Sequence, residues 1–327
     1  MKFRQLGACG ITVSEIGLGT WELAGDAWGS KDNAEYLSAI YAALDAGITY
    51  FDTALEYGNG NSERILGEAL RGKHSEVIIS TKVPPRCGEW SLALHRGIDD
   101  FFPGDWIRQC CEQSLRNLQR EYIDVLLLHT WSHSWAHCTA WYEAMIDLKR
   151  ADKIRTIGIS VGDHRASEAN AHIEAGRLDA VMTVFNIFEQ EPEYTLIPLA
   201  QKHGVGVIAR CPFSSGVLTG TWHRGMVFPK GDWRAIWPGK EWKDEQLNML
   251  ELVRPILDQW GEDAAVAALK FILNNPGVSS AIPGSSRAQH IHTNASASNS
   301  IEMPTRVTVA LRQLWMSGKI HGVYNGA

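Results

Sequence analysis

The chain has 327 residues, of which 45% are hydrophobic and 21% charged, and its formal net charge is −6 at pH 7. That length can bury a sizeable core, and a negative net charge gives no general electrostatic attraction to nucleic acid or to an anionic membrane. The first residues, Met1 to Gln5, lack the apolar core of a signal peptide, and the apolar run from Val125 to Leu128 is too short to span a bilayer. These features predict a cytoplasmic protein that binds neither nucleic acid nor membrane.

The chain opens with a segment, 2–13, that predicts a hairpin with two glycines near its turn. Residues 16–20 (IGLGT) then predict a first core strand. Asp32 and Glu35 stand in capping-box spacing and predict the start of a helix, and Gly47 predicts its end.

Strands and helices alternate along the rest of the chain. Strands are predicted near 49–52, 77–82, 123–129, 154–160, 180–185, 205–210 and 279–282, and helices near 62–72, 105–119, 137–150, 164–175, 194–203, 262–274 and 287–297. With the first core strand this makes eight strands, whose apolar character favours a closed α/β (β/α)8 TIM barrel over an open doubly wound sheet. Two further helices, near 244–259 and 305–316, would decorate the barrel. Because no linker interrupts the chain, residues 1–327 are predicted to form a single domain.

The glycine-rich fingerprint of an open dinucleotide-binding sheet is absent. Gly58-Asn59-Gly60 is followed by Glu63, where that fingerprint requires a third glycine. Any nicotinamide dinucleotide must therefore bind in another way.

Four ionisable residues stand at or just beyond predicted strands: Asp52, Tyr57, Lys82 and His129. Each has an ordinary interpretation, Asp52 as a turn cap, Tyr57 as a core residue, and Lys82 and His129 as solvated strand ends. In a barrel, however, the carboxyl ends of all strands meet at one face. A lysine lowers the pKa of a neighbouring tyrosine, an aspartate keeps that lysine charged, and an imidazole donates to a substrate oxygen. The four residue types therefore predict a proton-donating site in which Lys82 lowers the pKa of Tyr57.

These residues lie in segments that resemble the aldo-keto reductase family. FDTALEYG at 51–58, followed by SERILG at 62–67, is similar to the family's Asp/Tyr signature, and the segments around Lys82 and His129 resemble its lysine and histidine blocks. Residues 208–220 and 282–285 resemble its cofactor loops. The blocks follow the family's order from about residue 3 to residue 298. The resemblance implies a bacterial-type NADP-dependent oxidoreductase on a (β/α)8 barrel, with Asp52, Tyr57, Lys82 and His129 as its catalytic residues.

The resemblance also implies that NADPH or NADP lies across the barrel mouth, NADH being an alternative. The cofactor-binding residues that it implies are Phe213, Ser215, Gly216 and Leu218 after the seventh strand, and Gly284, Ser285, Arg287 and Asn294 after the eighth. Small residues with free N–H groups admit a pyrophosphate, and the start of a helix attracts anions. Arg287 is predicted to bind the 2′-phosphate of the dinucleotide, which would favour NADPH over NADH. The alternative is that Arg287 is a solvated helix residue.

The nicotinamide pocket departs from the family pattern. Members commonly have Asn after the serine of the fifth strand and Gln on the sixth, and these side chains hold the carboxamide. Here Val161 follows Ser160, and Met182 stands at the glutamine position. Phe185 is predicted to pack on the nicotinamide ring, with Ser160 and Asn186 as the remaining polar anchors.

Tryptophans crowd the segments that follow strands. Trp21 and Trp131, directly beyond the first and fourth strands, are predicted substrate walls, because aromatic rims suit bulky apolar or sugar-ring substrates. Packing within loops is the alternative. The other tryptophans outside clear helical patterns are Trp28, Trp90, Trp135, Trp222, Trp233, Trp237 and Trp242.

A metal site is a weaker hypothesis. His129, His133 and His137 are four residues apart, with Cys138 adjacent, but residues 130–136 read as loop and His129 is assigned to the carbonyl, so no metal is predicted. The six cysteines have no paired spacing, which predicts free thiols.

The function expected from these residues is hydride transfer between NADPH and a small carbonyl or alcohol substrate (aldehyde, ketone or sugar), with Tyr57 as general acid or base. Two alternatives stay open. A nicotinamide-binding regulatory or sensor barrel with slow or no turnover is one, because the family fold also serves as an ion-channel accessory subunit. A metal-dependent lyase is the other. Substrate choice is expected to lie in the loops at 84–103, 131–136 and 211–243.

Overall fold

A computed structural model of the chain describes residues 1–25, 28, 32–73, 75–88, 90, 96–236 and 239–322. Trp237, one of the tryptophans noted above, lies outside the described residues. Within them the strands are β1 Phe3–Gln5, β2 Thr12–Ser14, β3 Leu18–Gly19, β4 Tyr50–Asp52, β5 Ile78–Val83, β6 Ile123–Leu128, β7 Ile154–Ser160, β8 Ala180–Val184, β9 Gly206–Arg210 and β10 Val278–Ala281.

Helices follow most of these strands. They are α1 Asn33–Asp45, α2 Asn61–Ala69, α3 Ile98–Phe101, α4 Gly104–Leu118, α5 Ala140–Arg150, α6 Asn170–Glu174, α7 Glu191–Tyr194, α8 Leu196–His203, α9 Trp233–Ile236, α10 Gly239–Asp258, α11 Ala264–Leu273, α12 Ala288–Ser296 and α13 Thr305–Met316. Short 3₁₀ turns occur at Trp21–Ala24, His133–Trp135, Ala166–Ala169 and Ser214–Thr219. In the described part of the chain, no helix is both long enough and apolar enough to cross a bilayer.

The eight strands β3 to β10 form one parallel sheet in which each strand pairs with the next along the chain. Parallel bridges from Ile16 to Ala281 and from Gly19 to Gly284 join the first strand to the last. The Gly17 N–H also donates to the carbonyl of Ala281 at 2.8 Å. The predicted (β/α)8 barrel is therefore confirmed, with α10 and α13 as the two predicted additions.

The hairpin closes one end of the barrel. β1 and β2 pair antiparallel, as predicted, and Leu6 beside them packs against the apolar barrel interior. Gly7 lies so close to residues 204–206, at the start of β9, that a Cβ there would meet backbone atoms at 2.3 to 2.8 Å. The hairpin therefore seals the amino-terminal end of the strands, which leaves the carboxyl-terminal end as the open mouth.

The barrel interior follows from the two-residue alternation of each strand. Side chains that point inward form one buried apolar cluster, whose strand members are Tyr50, Val125, Leu127, Ala180, Met182 and Ile208. The next inward positions toward the mouth are occupied instead by Asp52, Lys82, His129 and Arg210. The barrel thus changes from apolar to charged within one layer.

Candidate active site

Four of the predicted site residues meet at the barrel mouth. The Lys82 ammonium donates to Asp52 Oδ2 at 2.7 Å, to the Thr53 carbonyl at 2.7 Å and to Tyr57 Oη at 3.3 Å. Asp52 Oδ1 accepts a further hydrogen bond from Ser80 Oγ at 2.6 Å. The Tyr57 and His129 rings stand edge to face, with their centroids 5.7 Å apart. A phenol, a buried ammonium and an imidazole therefore share one location.

The protonation of Tyr57 and Lys82 follows from burial and from Asp52. Burial is the largest single effect on Lys82 and lowers its pKa, but the charges and hydrogen bonds of Asp52 and Tyr57 together outweigh it, so the net shift is upward and the lysine is charged. Burial raises the pKa of Tyr57, and the ammonium of Lys82 opposes this shift without cancelling it. Lys82 therefore lowers the pKa of Tyr57, as predicted, but desolvation of the phenolate is the larger effect and the net shift is upward. At neutral pH this phenol is therefore protonated.

His129 is a neutral imidazole. Burial lowers its pKa well below the ordinary value, and the nearby cations Lys82 and Arg210 lower it further. Its Nδ1 is buried and has no hydrogen-bond partner among the described residues. The ring of Trp90 stands edge to face against it, with centroids 4.8 Å apart. A neutral imidazole can donate one N–H to a ligand oxygen without adding charge to the mouth.

The turn that carries Tyr57 is fixed by a buried hydroxyl network. Ser62, at the start of α2, donates through Oγ to the Thr20 carbonyl at 3.0 Å and accepts from Thr53 Oγ1 at 3.0 Å. The Ser62 N–H donates to the Tyr57 carbonyl at 3.3 Å. These bonds join the ends of β3 and β4 to α2. They hold the tyrosine in place on a scaffold of short, rigid contacts.

A charged residue that was not predicted also reaches the mouth. Arg210 ends β9 and shares the inward-facing alternation of Ile208. Its Nη2 donates to the Val161 carbonyl at 3.0 Å and to Asp163 Oδ1 at 2.5 Å. Burial alone raises the pKa of Asp163, but Arg210 lowers it, so the pair is ionised. The signal in the sequence was the alternation of β9, which places this arginine at the last inward position before the cofactor-loop motif.

Two predicted nicotinamide contacts are used elsewhere. Phe185 is fully buried and packs on Phe271 of α11, with ring centroids 5.9 Å apart. Its side chain faces outward, because Ala180, Met182 and Val184 occupy the inward-facing positions of the alternation. Asn186 Oδ1 accepts from the N–H groups of residues 188 and 189, and its Nδ2 donates to the Cys211 carbonyl at 2.9 Å. The structure thus places Phe185 against α11 and engages both ends of the Asn186 amide with backbone groups.

The other positions of this pocket are mainly apolar. Ser160 is buried at the end of β7 and pairs in register with Met182. Met182 belongs to the fully buried barrel interior, one layer below the mouth. Val161 is buried on the outer side of the sheet and contributes its carbonyl to Arg210. Of these residues, only Ser160 and Arg210 present inward-facing polar groups near the end of their strands.

The predicted phosphate loop after β9 has an unusual backbone. Phe213 and Leu218 are buried and anchor it, whereas Ser215 and Gly216 are partly exposed and adopt φ angles of 60° and 100°. Arg234 donates to the Ser215 carbonyl at 3.0 Å and is itself held by Asp232. A left-handed turn of small residues brings the backbone to the surface, where a phosphate can approach it.

The start of α12 already binds an anionic group of the chain. Glu22 Oε2 accepts from the Ser286 N–H at 3.1 Å and from Ser286 Oγ at 3.2 Å, and Gly284 lies beside the same carboxylate. Ser285 is buried, and its Oγ accepts from the Arg287 N–H. The Arg287 side chain is exposed, whereas Asn294 is buried further along α12. Because this loop binds a carboxylate, its donors fit the phosphates of a dinucleotide.

Aromatic rings form a wall beside Tyr57. Trp21 is 39% exposed, stacks on Tyr57 at a centroid distance of 6.2 Å and stacks on Trp233 at 5.9 Å. Trp131, by contrast, is completely buried among Trp135, Trp141 and His172. The structure thus places the ring of Trp131, a predicted substrate wall, in the buried core.

The metal hypothesis has no geometric support in the described residues, where no group of three His, Cys, Asp or Glu side chains is close enough to share an ion. His133 lies 3.5 Å from Glu168 instead. All six cysteines are free thiols.

Comparison with known proteins agrees with this geometry. The model of the Aldo/keto reductase family matches residues 15–315. Aldo-keto reductase YhdN from Bacillus subtilis (strain 168) is 30% identical over 289 residues, which cover 87% of this chain and 85% of the relative. NADH-specific methylglyoxal reductase from Escherichia coli (strain K12) is 30% identical over 313 residues, covering 91% and 94%. The holo form of aldo-keto reductase AKR11C1 from Bacillus halodurans superimposes with a TM-score of 0.77 at 26% identity and covers 96% of both chains. The chain belongs to the aldo/keto reductase family, a family of oxidoreductases.

Proposed function

We propose that this protein is a nicotinamide-dependent carbonyl reductase in which Tyr57 is the proton donor. The observation that carries the proposal is the hydrogen-bonded series from Asp52 through Lys82 to Tyr57, with neutral His129 at its open end. A bound NADPH or NADH supplies the hydride. Reduction of a carbonyl also consumes one proton at oxygen, and Tyr57 is the group with the protonation and position to give it.

Each residue has a distinct part in that step. His129 donates an N–H to the carbonyl oxygen and orients it. Tyr57 transfers its proton to the same oxygen as the carbon–oxygen double bond becomes single. Lys82 stabilises the phenolate that this transfer leaves, and Asp52 keeps the ammonium charged and in place. Run in reverse, the phenolate accepts the proton of an alcohol, as a dehydrogenase requires.

The substrate class that fits the mouth is a small uncharged carbonyl compound or the corresponding alcohol. Two cation–carboxylate pairs, Lys82 with Asp52 and Arg210 with Asp163, balance the charge there. The exposed ring of Trp21 beside Tyr57 offers a flat apolar surface for an alkyl chain, an aromatic aldehyde or a sugar ring. The Escherichia coli relative is named for methylglyoxal, a carbonyl compound of this kind.

The choice of dinucleotide depends on two opposite charges at the start of α12. Arg287 is exposed and can attract the 2′-phosphate of NADPH. Glu22, bound to Ser286, repels a phosphate that approaches the same N–H group. Both dinucleotides are therefore candidate reductants, and titration with each of them decides between the two.

The experiment that tests the proposal is steady-state turnover of Tyr57→Phe with a panel of aldehydes, ketones and sugars. Loss of a general acid lowers kcat by about 10²- to 10⁴-fold, while the affinity for NADH and NADPH stays within about twofold. Tyr41→Phe, which removes the hydroxyl of a largely exposed tyrosine on α1, is the matched control and keeps full turnover. Turnover of Tyr57→Phe at the wild-type rate would refute the assignment.

A sensor barrel with slow or no turnover is distinguished by stopped-flow kinetics. When wild-type protein is mixed with excess NADPH or NADH and a carbonyl compound, a reductase oxidises many equivalents of dinucleotide. A sensor binds tightly but oxidises at most one equivalent. The assembled proton-donating residues favour the reductase, because a binding module does not require them.

A further inference from the structure

Arg210 is a charged residue of the mouth that the proposed proton transfer does not use. It lies at the carboxyl-terminal end of β9, paired in register with Val184, and its side chain shares the inward face with Ile208. Its positive charge acts on both Tyr57 and His129. The guanidinium is therefore close to the place where a nicotinamide ring and a substrate must meet.

The donors of this guanidinium are only partly used. Nη2 donates to the Val161 carbonyl and Asp163, and within the described part of the chain Nη1 has only the sulfur of Cys211 at 3.5 Å. Nε is buried and has no hydrogen-bond partner among the described residues. A buried N–H without an acceptor is unfavourable by about 1–3 kcal/mol, more for a charged group, so this arrangement favours a ligand that brings an oxygen atom.

The groups expected to hold the nicotinamide carboxamide do not supply its contacts. Val161 and Met182 replace the amide side chains that family members commonly have. Asn186 spends both ends of its amide on backbone groups. Of the side chains expected to hold the carboxamide, Ser160 remains, buried at the end of β7.

The ion pair with Asp163 indicates what kind of acceptor fits. The carboxylate lies 2.5 Å from Nη2 and already neutralises the guanidinium. A second anion would be repelled by Asp163, whereas an uncharged carbonyl or amide oxygen would not. The free donor is thus suited to a neutral oxygen and not to a substrate carboxylate.

We propose that Arg210 is a cofactor-binding residue that donates a hydrogen bond to the carboxamide oxygen of the nicotinamide, in place of the amide side chains that this chain lacks. The inference rests on the proposed function, since it requires a nicotinamide dinucleotide at the mouth. Asp163 orients the guanidinium by accepting from Nη2, which leaves the Nε–H group for the cofactor.

The test compares full dinucleotides with probes that lack the nicotinamide. Binding of NADH and NADPH, and of ADP-ribose and 2′-phospho-ADP-ribose, is measured by calorimetry on wild-type protein and on Arg210→Met. We expect Arg210→Met to weaken NADH and NADPH about 10- to 100-fold, the range for one lost hydrogen bond to a charged donor. The two ADP-ribose probes should bind within about twofold of wild type.

Two further variants keep the result interpretable. Asp163→Asn/Arg210→Met removes both charges and should show the same selective loss, which excludes an effect of an unpaired Asp163. Arg155→Met removes an arginine from the opposite end of the barrel, where it pairs with Asp124 at 2.9 Å, and should bind all four ligands like wild type.

Several outcomes overturn the inference. Binding of NADH and NADPH by Arg210→Met at wild-type affinity would do so, as would an equal loss of dinucleotides and ADP-ribose probes. A raised KM for the carbonyl substrate with unchanged cofactor affinity would assign Arg210 to the substrate instead. Failure of wild-type protein to bind either dinucleotide refutes the proposed function itself and is distinguishable from all of these.

Discussion

Asp52→Asn is expected to reduce the free energy of unfolding strongly, because it leaves a buried cation without its counter-charge. The side chains of Lys82 and Asp52 are only 1% and 4% exposed, and Nζ lies 2.7 Å from Oδ2. The other acceptors of this ammonium, the Thr53 carbonyl and Tyr57 Oη, are uncharged. Removing one partner of a buried pair typically costs about 3–5 kcal/mol, a large part of the total stability of about 5–15 kcal/mol.

The local geometry places this substitution in the upper half of that range. Ser80 Oγ donates to Asp52 Oδ1 and would keep the amide oxygen of an asparagine as its acceptor. The amide NH₂ then faces the Lys82 ammonium, so a donor meets a donor. Lysine can escape part of the cost by losing its proton, because burial lowers its pKa once the carboxylate is gone. A loss of about 4 kcal/mol follows, together with loss of the cation that stabilises the Tyr57 phenolate.

Urea denaturation monitored by circular dichroism measures this loss as a lower midpoint at unchanged slope. Lys82→Met in the Asp52→Asn background is the informative partner, because it removes the uncompensated cation and should restore about 1–3 kcal/mol. A stability of Asp52→Asn within about 1 kcal/mol of wild type would refute the reasoning. So would a double variant that is less stable than Asp52→Asn alone.

Three further measurements test other parts of the site and core. Because burial raises the pKa of Tyr57, the phenol stays protonated from about pH 6 to about pH 9, and kcat for carbonyl reduction should be constant over that range. Oxidation of the alcohol needs the phenolate, so its rate should rise with pH. A reduction rate that falls within this range is inconsistent with the assignment. Glu22→Gln removes the carboxylate bound to Ser286 and should raise the ratio of NADPH to NADH affinity about two- to fivefold in a fluorescence titration, and an unchanged ratio would disprove its role. Burial lowers the pKa of His172 from 6.5 to about 4, so between these pH values the unfolded chain binds a proton that the folded chain does not. The free energy of unfolding therefore falls as the pH drops through this interval, by about 3 kcal/mol in total. In urea denaturation, His172→Gln should lose less stability than wild type between those pH values, and an identical loss would contradict the shift.

The barrel could be predicted from the sequence because its signals are local. Apolar strands, helix caps such as Asp32 and terminal glycines such as Gly47 recur along the chain, and Asp32 does accept the Ala34 N–H in the structure. The meeting of Asp52, Lys82 and His129 could also be predicted, since the carboxyl ends of all barrel strands share one face. These expectations depend on topology and not on side-chain detail.

Other side-chain placements depend on one residue of strand alternation or on one distant contact, and these are not readable from the sequence. Phe185 directly follows β8 and Arg210 ends β9, and a shift of one position turns a side chain from the barrel interior to its outside. Alternation from Met182 places Phe185 outward, and alternation from Ile208 places Arg210 inward. The position of Trp131 directly after a strand predicts that it lines the mouth, whereas its ring packs outside the barrel. The contact of Glu22 with Ser286 spans 264 residues and has no local signal.

The two ion pairs at the mouth differ in a way that divides their functions. Lys82 and Asp52 are sealed, at 1% and 4% exposure, so a ligand reaches their charge only through Tyr57. Arg210 and Asp163 are 22% and 25% exposed, so a ligand can contact this pair directly. In the proposed reaction, negative charge that develops on a substrate oxygen meets the uncharged donors Tyr57 and His129, which are held in place and need little reorganisation. A permanently charged substrate gains nothing from such a mouth, because each cation already has its carboxylate. The arrangement favours a substrate whose charge appears only during the reaction, as it does when a carbonyl group is reduced.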